Sequence, residues 1–167
     1  MKLSIDNYFP MSIYDTVKAF SKKPDTLEFL RPATAYHNSR FCKFEFKNKT
    51  LSSCDFHASV FTDCSFRNCR FVGTDFGLCV FDGCIFEDNC MQASRFKNAK
   101  MDTVLFSKND LKYSWMNDSN LSECVISDND LGFANFTDCQ FMDVDWLGNK
   151  TNNVKWPCGE GREGGAR

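Results

Sequence analysis

The chain has 167 residues, with 20 Lys+Arg against 22 Asp+Glu and a net charge of −2. That length allows one domain with short extensions, and the charge balance lacks the basic excess of a nucleic-acid binder. No run of about 18 apolar residues is present to span a membrane, and residues 1–10 lack the basic and apolar regions of a secretory signal.

Residues 1–38 read as an N-terminal cap, partly helical. Ser12 followed by Asp15 resembles a helix start, and Ile13, Val17 and Phe20 share one helical face. Pro24 and Asp25 suit the start of a second short helix running to Leu30, with Pro32 ending it. The alternative for this segment is a docking element or an export signal read by a dedicated secretion system.

From residue 39 a five-residue period takes over. Phe41, Phe46, Leu51, Phe56 and every fifth residue after them to Phe141 and Trp146 are large and apolar, 22 steps without a slip. At 43% hydrophobic content, chance gives such a run roughly once in 10⁸ trials per register. Two residues before each large one lies a second column, in which 18 of 22 positions are Ser, Thr, Cys, Ala or Asn. Seven of the ten cysteines sit there, including Cys54, Cys64, Cys79 and Cys84. Without a secretory signal they read as reduced thiols filling a small apolar column, not as a disulfide framework.

Period five fits neither a helix nor a long strand. A helix would smear the Phe column around its circumference, and a long strand would send alternate Phe side chains to opposite faces. A chain that turns once per five residues resolves this, each short segment pointing one small and one large side chain inward. Coils stacked at about 4.8 Å then satisfy each other's backbone groups, which makes a solenoid.

Units such as Cys54-Asp55-Phe56, Thr74-Asp75-Phe76, Asn109-Asp110-Leu111 and Ala134-Asn135-Phe136 resemble the pentapeptide-repeat proteins. The resemblance covers residues 39–148. It implies an all-β fold, a right-handed quadrilateral β-helix with 20 residues per coil and hence about 5.5 coils. Residues 149–167 read as a C-terminal cap with Val154 and Trp156, followed by a Gly-rich disordered tail.

If coils are 20 residues, residues 20 apart stack. Asn89, Asn109 and Asn129 then form an inward ladder. Asp63, Asp82, Asp102, Glu123 and Asp143 make an outward acidic stripe, and Ile85, Leu105 and Val125 an outward apolar one. Tyr113 and Phe133 stack on a third face with Trp115 around the corner. Lys49 breaks the small-residue rule near the first coil, so that coil must be loosened or capped.

Catalysis has little support. The only histidines are His37, in the cap, and His57, outward beside Asp55, and neither pairs with a nucleophile. The cysteine spacing of five sends neighbouring thiols to different faces, so no metal site is expected, and no Gly-rich loop marks a cofactor. Cys42, Cys90 and Cys158 are the thiols expected to be exposed. We expect a non-enzymatic rod, monomer or homodimer, that binds a protein and neither nucleic acid nor membrane directly. Repeats such as Cys64-Ser65-Phe66 and Cys69-Arg70-Phe71 are similar to those of the Qnr-type quinolone-resistance and microcin immunity proteins. That resemblance implies a type II topoisomerase, DNA gyrase or topoisomerase IV, as partner, engaged through the acidic stripe as a DNA mimic in the cytoplasm. The alternative is an interaction scaffold, such as an effector secreted into a host cell, working through the apolar residues on a host or cellular protein.

Overall fold

In an extended segment inward and outward side chains alternate, so each small–x–large triplet buries its first and third residues together. The computed structural model describes residues 18–20 and 30–158. Its strands are β1 (Lys18–Phe20), β2 (Ser39–Cys42), β3 (Glu45–Lys47), β4 (Val60–Thr62), β5 (Ser65–Arg67), β6 (Val80–Asp82) and β7 (Ile85–Glu87). They continue with β8 (Lys100–Asp102), β9 (Leu105–Ser107), β10 (Asn120–Ser122), β11 (Val125–Ser127), β12 (Gln140–Met142) and β13 (Asp145–Leu147).

All pairing is parallel. The even-numbered strands stack, with β1 at one end, into a seven-stranded sheet, and the odd-numbered strands from β3 to β13 into a six-stranded one. The register advances by 20 residues, as in Phe61↔Phe81 and Ile85↔Leu105. Two further faces are held by isolated bridges in the same steps, one from Thr50 to Lys150 and one from Ala35 to Lys155. The described chain is therefore an all-β, four-sided solenoid, whose faces follow one another as seven-stranded sheet, six-stranded sheet, third face and fourth face.

Each corner is made the same way. Every fifth residue from Ala33 to Asn153 has a positive φ, 22 of them non-glycine with φ between 50° and 61°. Eleven of those 22 are Asn or Asp, the residues that best tolerate this conformation. The corner N–H reaches a carbonyl of the next coil, as Asp63 N–H does to Asp82 O at 2.8 Å.

The core is a set of ring stacks. Phe41, Phe61 and Phe81 stack at 4.9 and 5.0 Å, and Phe46, Phe66, Phe86 and Phe106 at 4.4–4.7 Å. Neighbours around one coil meet edge to face, as Phe81 and Phe86 do at 5.3 Å and 72°. Both arrangements suit the aromatic quadrupole.

The small column does more than leave room. Cys54, Cys64, Cys69, Cys79, Cys84, Cys124 and Cys139 each donate their thiol to the carbonyl 23 residues earlier, at 2.8–3.7 Å. Ser59, Thr74, Ser119 and the asparagines 89, 109, 129 and 149 donate to the same relative position. Buried carbonyls need partners, so the column selects residues that are short and carry a donor. The expected asparagine ladder is present and gains Asn149 as a fourth rung.

The N-terminal end differs from expectation. Residues 18–20, assigned above to the end of a helix, form strand β1, paired in parallel with β2. The exposed edge of β2 offers a row of backbone groups, and pairing them outweighs a weak helical pattern. The rest of the expected first helix lies outside the described residues, as does the second except Leu30, which is buried and non-helical. Tyr36 stacks on Phe56 at 5.3 Å, and Phe44 fills the small column below Cys64. Lys49 is only half-buried in this first coil, which spares its ammonium full desolvation. At the other end Trp156 stacks on Phe136 at 5.4 Å, and Trp146 packs edge-on against both.

Candidate protein-binding surfaces

Outward positions in a stacked coil form columns, so one side chain's neighbours are the residues 20 before and after it. Asp82 and Asp102 pair in register at the ends of β6 and β8. Asp63, Glu123 and Asp143 occupy the adjoining corner column, each with positive φ. The acidic stripe is thus two neighbouring columns along one corner. Gly83, in the corner column one coil above Asp63, has φ +61° and leaves room for that carboxylate, since a Cβ there would meet Asp63 Oδ1 at 2.9 Å.

Ile85, Leu105 and Val125 are paired in register on β7, β9 and β11, immediately past the acidic corner. All three are half-buried, with Ser65 below and Asp145 above. Acidic corner and apolar stripe therefore form one continuous surface. Charge is segregated with it. Over the four coils from residue 80, the two sheets and their corners (80–88, 100–108, 120–128, 140–148) hold eight acidic and two basic residues. The third and fourth faces of the same coils (90–98, 110–118, 130–138, 150–158) hold four acidic and five basic.

The remaining apolar residues lie elsewhere. Tyr113 and Phe133 stack at 5.2 Å on the corner between the third and fourth faces, diagonally across the rod from the acidic corner. Trp115 follows on the fourth face, and all three are more than half exposed. The six apolar residues singled out from sequence are thus two patches on opposite sides. Leu78, Met142 and Leu147 are also exposed and were not singled out. Nor were Arg95 and Lys97, which lie one coil below Trp115 on the fourth face. Extending the 20-residue columns to basic residues would have found them.

Six of the seven inward thiols are pushed up, whereas Cys64 is lowered by its hydrogen bond with Cys84. Burial pushes Cys124 and Cys139 up to about 11 and Cys79 higher still. Cys84 is raised by its contact with Cys64 and by burial. Cys42 and Cys90 are half-buried and Cys158 is exposed. His57 donates its backbone N–H to Asp55 Oδ1 at 2.8 Å, an Asx turn that shapes the loop. Among the described residues no His, Cys, Asp or Glu cluster is placed to hold a metal ion, and no helix is long and apolar enough to cross a membrane.

A family profile described as a pentapeptide repeat region matches residues 59–136. Similar solved structures include full-length QnrB1, a plasmid-mediated fluoroquinolone resistance protein, at 16% identity over 69% of this chain and 71% of that one, TM-score 0.39. The pentapeptide repeat protein Rfr23 of the cyanobacterium Cyanothece 51142 is 12% identical over 70% and 87% of the two chains, TM-score 0.31. A pentapeptide repeat protein of the Arabidopsis thaliana thylakoid lumen is 15% identical over 70% and 74%, TM-score 0.26. Curated proteins give no match.

Proposed function

For this chain, a member of the pentapeptide-repeat family, we propose a non-catalytic role: a rigid rod that binds a protein partner through its two sheet faces. The observation that carries this reading is the segregation of charge, eight acidic against two basic residues on those faces from residue 80 onward. A rigid acidic surface complements a basic groove and steers its approach. The partner is a DNA-binding protein whose groove accepts the rod in place of duplex DNA. The family resemblance directs this to a type II topoisomerase. The seven inward cysteines act as thiol donors, which suits a reducing cytoplasm.

The test is DNA gyrase supercoiling in the presence of a fluoroquinolone, with purified protein added at low and high salt. Rescue at low salt that fades at high salt, and that is lost in an Asp82→Lys/Asp102→Lys/Glu123→Lys/Asp143→Lys variant, is the expected result. No effect on supercoiling under any condition removes topoisomerase as the partner. A second reading rests on Ile85, Leu105 and Val125, in register beside the acidic corner. These suit an apolar contact with another cellular or host protein, and binding through them would resist salt.

A further inference from the structure

Among the described residues, four of the six exposed large apolar side chains lie together. Tyr113 and Phe133 stand on one corner of the fourth face, Trp115 on the face itself and Leu78 on its other corner. The charges there are nearly balanced. The fourth face and its corners (53–58, 73–78, 93–98, 113–118, 133–138, 153–158) hold four acidic residues, Asp55, Asp75, Asp118 and Asp138, and three basic ones, Arg95, Lys97 and Lys155. An exposed apolar cluster with little net charge is the composition of a protein–protein contact.

The shape of this face repeats its own complement. Read upward, one corner column runs Gly73, Ala93, Tyr113, Phe133, so two of the smallest residues sit below two of the largest. Tyr113 and Phe133 stack at 5.2 Å and 11° into a ridge. Gly73 and Ala93 leave a trough, and a Cβ on Gly73 would find only Ser53 Oγ nearby, at 3.8 Å. Beside Ala93 lies a hollow of about 360 Å³ lined by Ala93, Arg95, Lys97 and Trp115. A second copy turned end over end, about a twofold axis between the coils of Ala93 and Tyr113, brings ridge to trough. Tyr113 then faces the partner's Ala93, and Phe133 faces the partner's Gly73.

Charge is an independent check on that operation. It sets Asp55 opposite the partner's Lys155, and Trp115 opposite the partner's Arg95, where the indole enters the hollow and meets a cation. The other charged side chains meet neutral ones. Asp75 faces the partner's Asn135, Lys97 the partner's Asn117, Asp118 the partner's Asn98 and Asp138 the partner's Leu78. No like charges stand opposite at equal height. Arg95 and Lys97 keep Asp75 and Asp118 at 4.0 and 3.8 Å within their own rod. A twofold along the rod axis would instead set Arg95 against the partner's Lys97.

We propose that the fourth face and its two corners bind the same surface of a second copy of this chain, antiparallel, in an isologous dimer. Six coils at about 4.8 Å, one face wide, bury about 1,000 Å² in total, at the low end for a specific interface, so the dimer is weak and exchanges with monomer. The acidic corner lies diagonally across the rod and stays open, so the dimer carries two such corners facing outward.

The test is sedimentation of the full chain from about 1 to about 500 µM, which is expected to show a monomer–dimer equilibrium. Trp115→Ala and Ala93→Phe should each weaken the dimer about tenfold or more. The first removes the side chain that enters the hollow. The second fills the trough with a residue that the same corner column already carries at Phe133. Asp55→Lys and Lys155→Asp should each weaken it at low salt, and the combined Asp55→Lys/Lys155→Asp variant should recover it, because the pair re-forms with its signs exchanged. Unchanged melting temperatures check that the variants fold. A monomer at every concentration overturns the proposal, as does a dimer indifferent to Trp115→Ala and Ala93→Phe. A charge exchange that fails to recover the dimer overturns the antiparallel arrangement. None of these results bears on the acidic faces, which the supercoiling assay tests separately.

Discussion

Asn109 donates its Nδ2 to Asn129 Oδ1 at 3.0 Å, and that same oxygen accepts the Asn109 backbone N–H at 2.8 Å. The Asn109 amide also donates to Phe86 O at 2.8 Å and accepts the Asn89 backbone N–H at 3.0 Å. One side chain thus satisfies buried groups in three successive coils. Asn109→Ala should cost about 3 kcal/mol, because it leaves several buried partners unmade at once. Asn149→Ala, at the half-buried end of the ladder, should cost about 1 kcal/mol. Urea unfolding of the two variants measures the difference, and equal costs would remove the ladder from the account of stability.

This relationship was legible in the sequence because the inward columns follow one rule. Phe81 and Cys84 sit five-residue steps from their like neighbours, and no surface requirement competes with packing there. The asparagines at 89, 109 and 129 could be stacked on paper once the coil length was set. Outward and terminal features were less legible. The left-handed corners hide behind residues such as Thr103, Leu78 and Tyr113, whose type does not announce a positive φ. Lys18–Phe20 has a local pattern that suits a helix, and only the open edge of β2 makes it a strand.

Phe76 is fully buried and stacks between Phe56 at 5.4 Å and Phe96 at 5.0 Å. Phe76→Asp places an unpaired carboxylate in that column, which costs several kcal/mol of a total stability of about 5–15 kcal/mol. Loss of the far-ultraviolet signal of the folded rod at room temperature is expected. Phe76→Leu should fold and lose about 1–2 kcal/mol. A Phe76→Asp variant that melts like the wild type would contradict the inward placement of the column.

Thr103 is exposed at a corner with φ 54°, where a β-branched side chain is strained. Half of the equivalent non-glycine corners use Asn or Asp. Thr103→Asn should therefore raise stability by about 0.5–1 kcal/mol, and the reverse change at Asn98 (φ 56°), Asn98→Thr, should lower it by a similar amount. Thermal melting of both variants checks the sign. If both changes lower the melting temperature, the corners are not governed by backbone preference.

The cysteines divide cleanly by burial. Cys42, Cys90 and Cys158 should react with a thiol reagent in the native protein, and the other seven only after denaturation, as a titration with and without denaturant would show. A count of four or more fast thiols would mean that the coils open locally. The buried group also sets an alkaline limit. Burial raises Cys124 and Cys139 to about 11, against about 8.5 for a thiol in an unfolded chain. A raised folded value means that the stabilisation is complete below about pH 8.5 and is lost as pH climbs towards about 11, because the unfolded chain releases its protons first. Each such thiol removes up to about 1.4 kcal/mol per pH unit in that window. The melting temperature should fall steeply between about pH 8.5 and about pH 10.5. Cys124→Ser/Cys139→Ser keeps short donors for Met101 O and Met116 O, which accept from the two thiols at 3.7 and 2.8 Å, and removes their titration. That variant should show a shallower fall, and a slope identical to the wild type would mean that these two thiols ionise without opposing the fold.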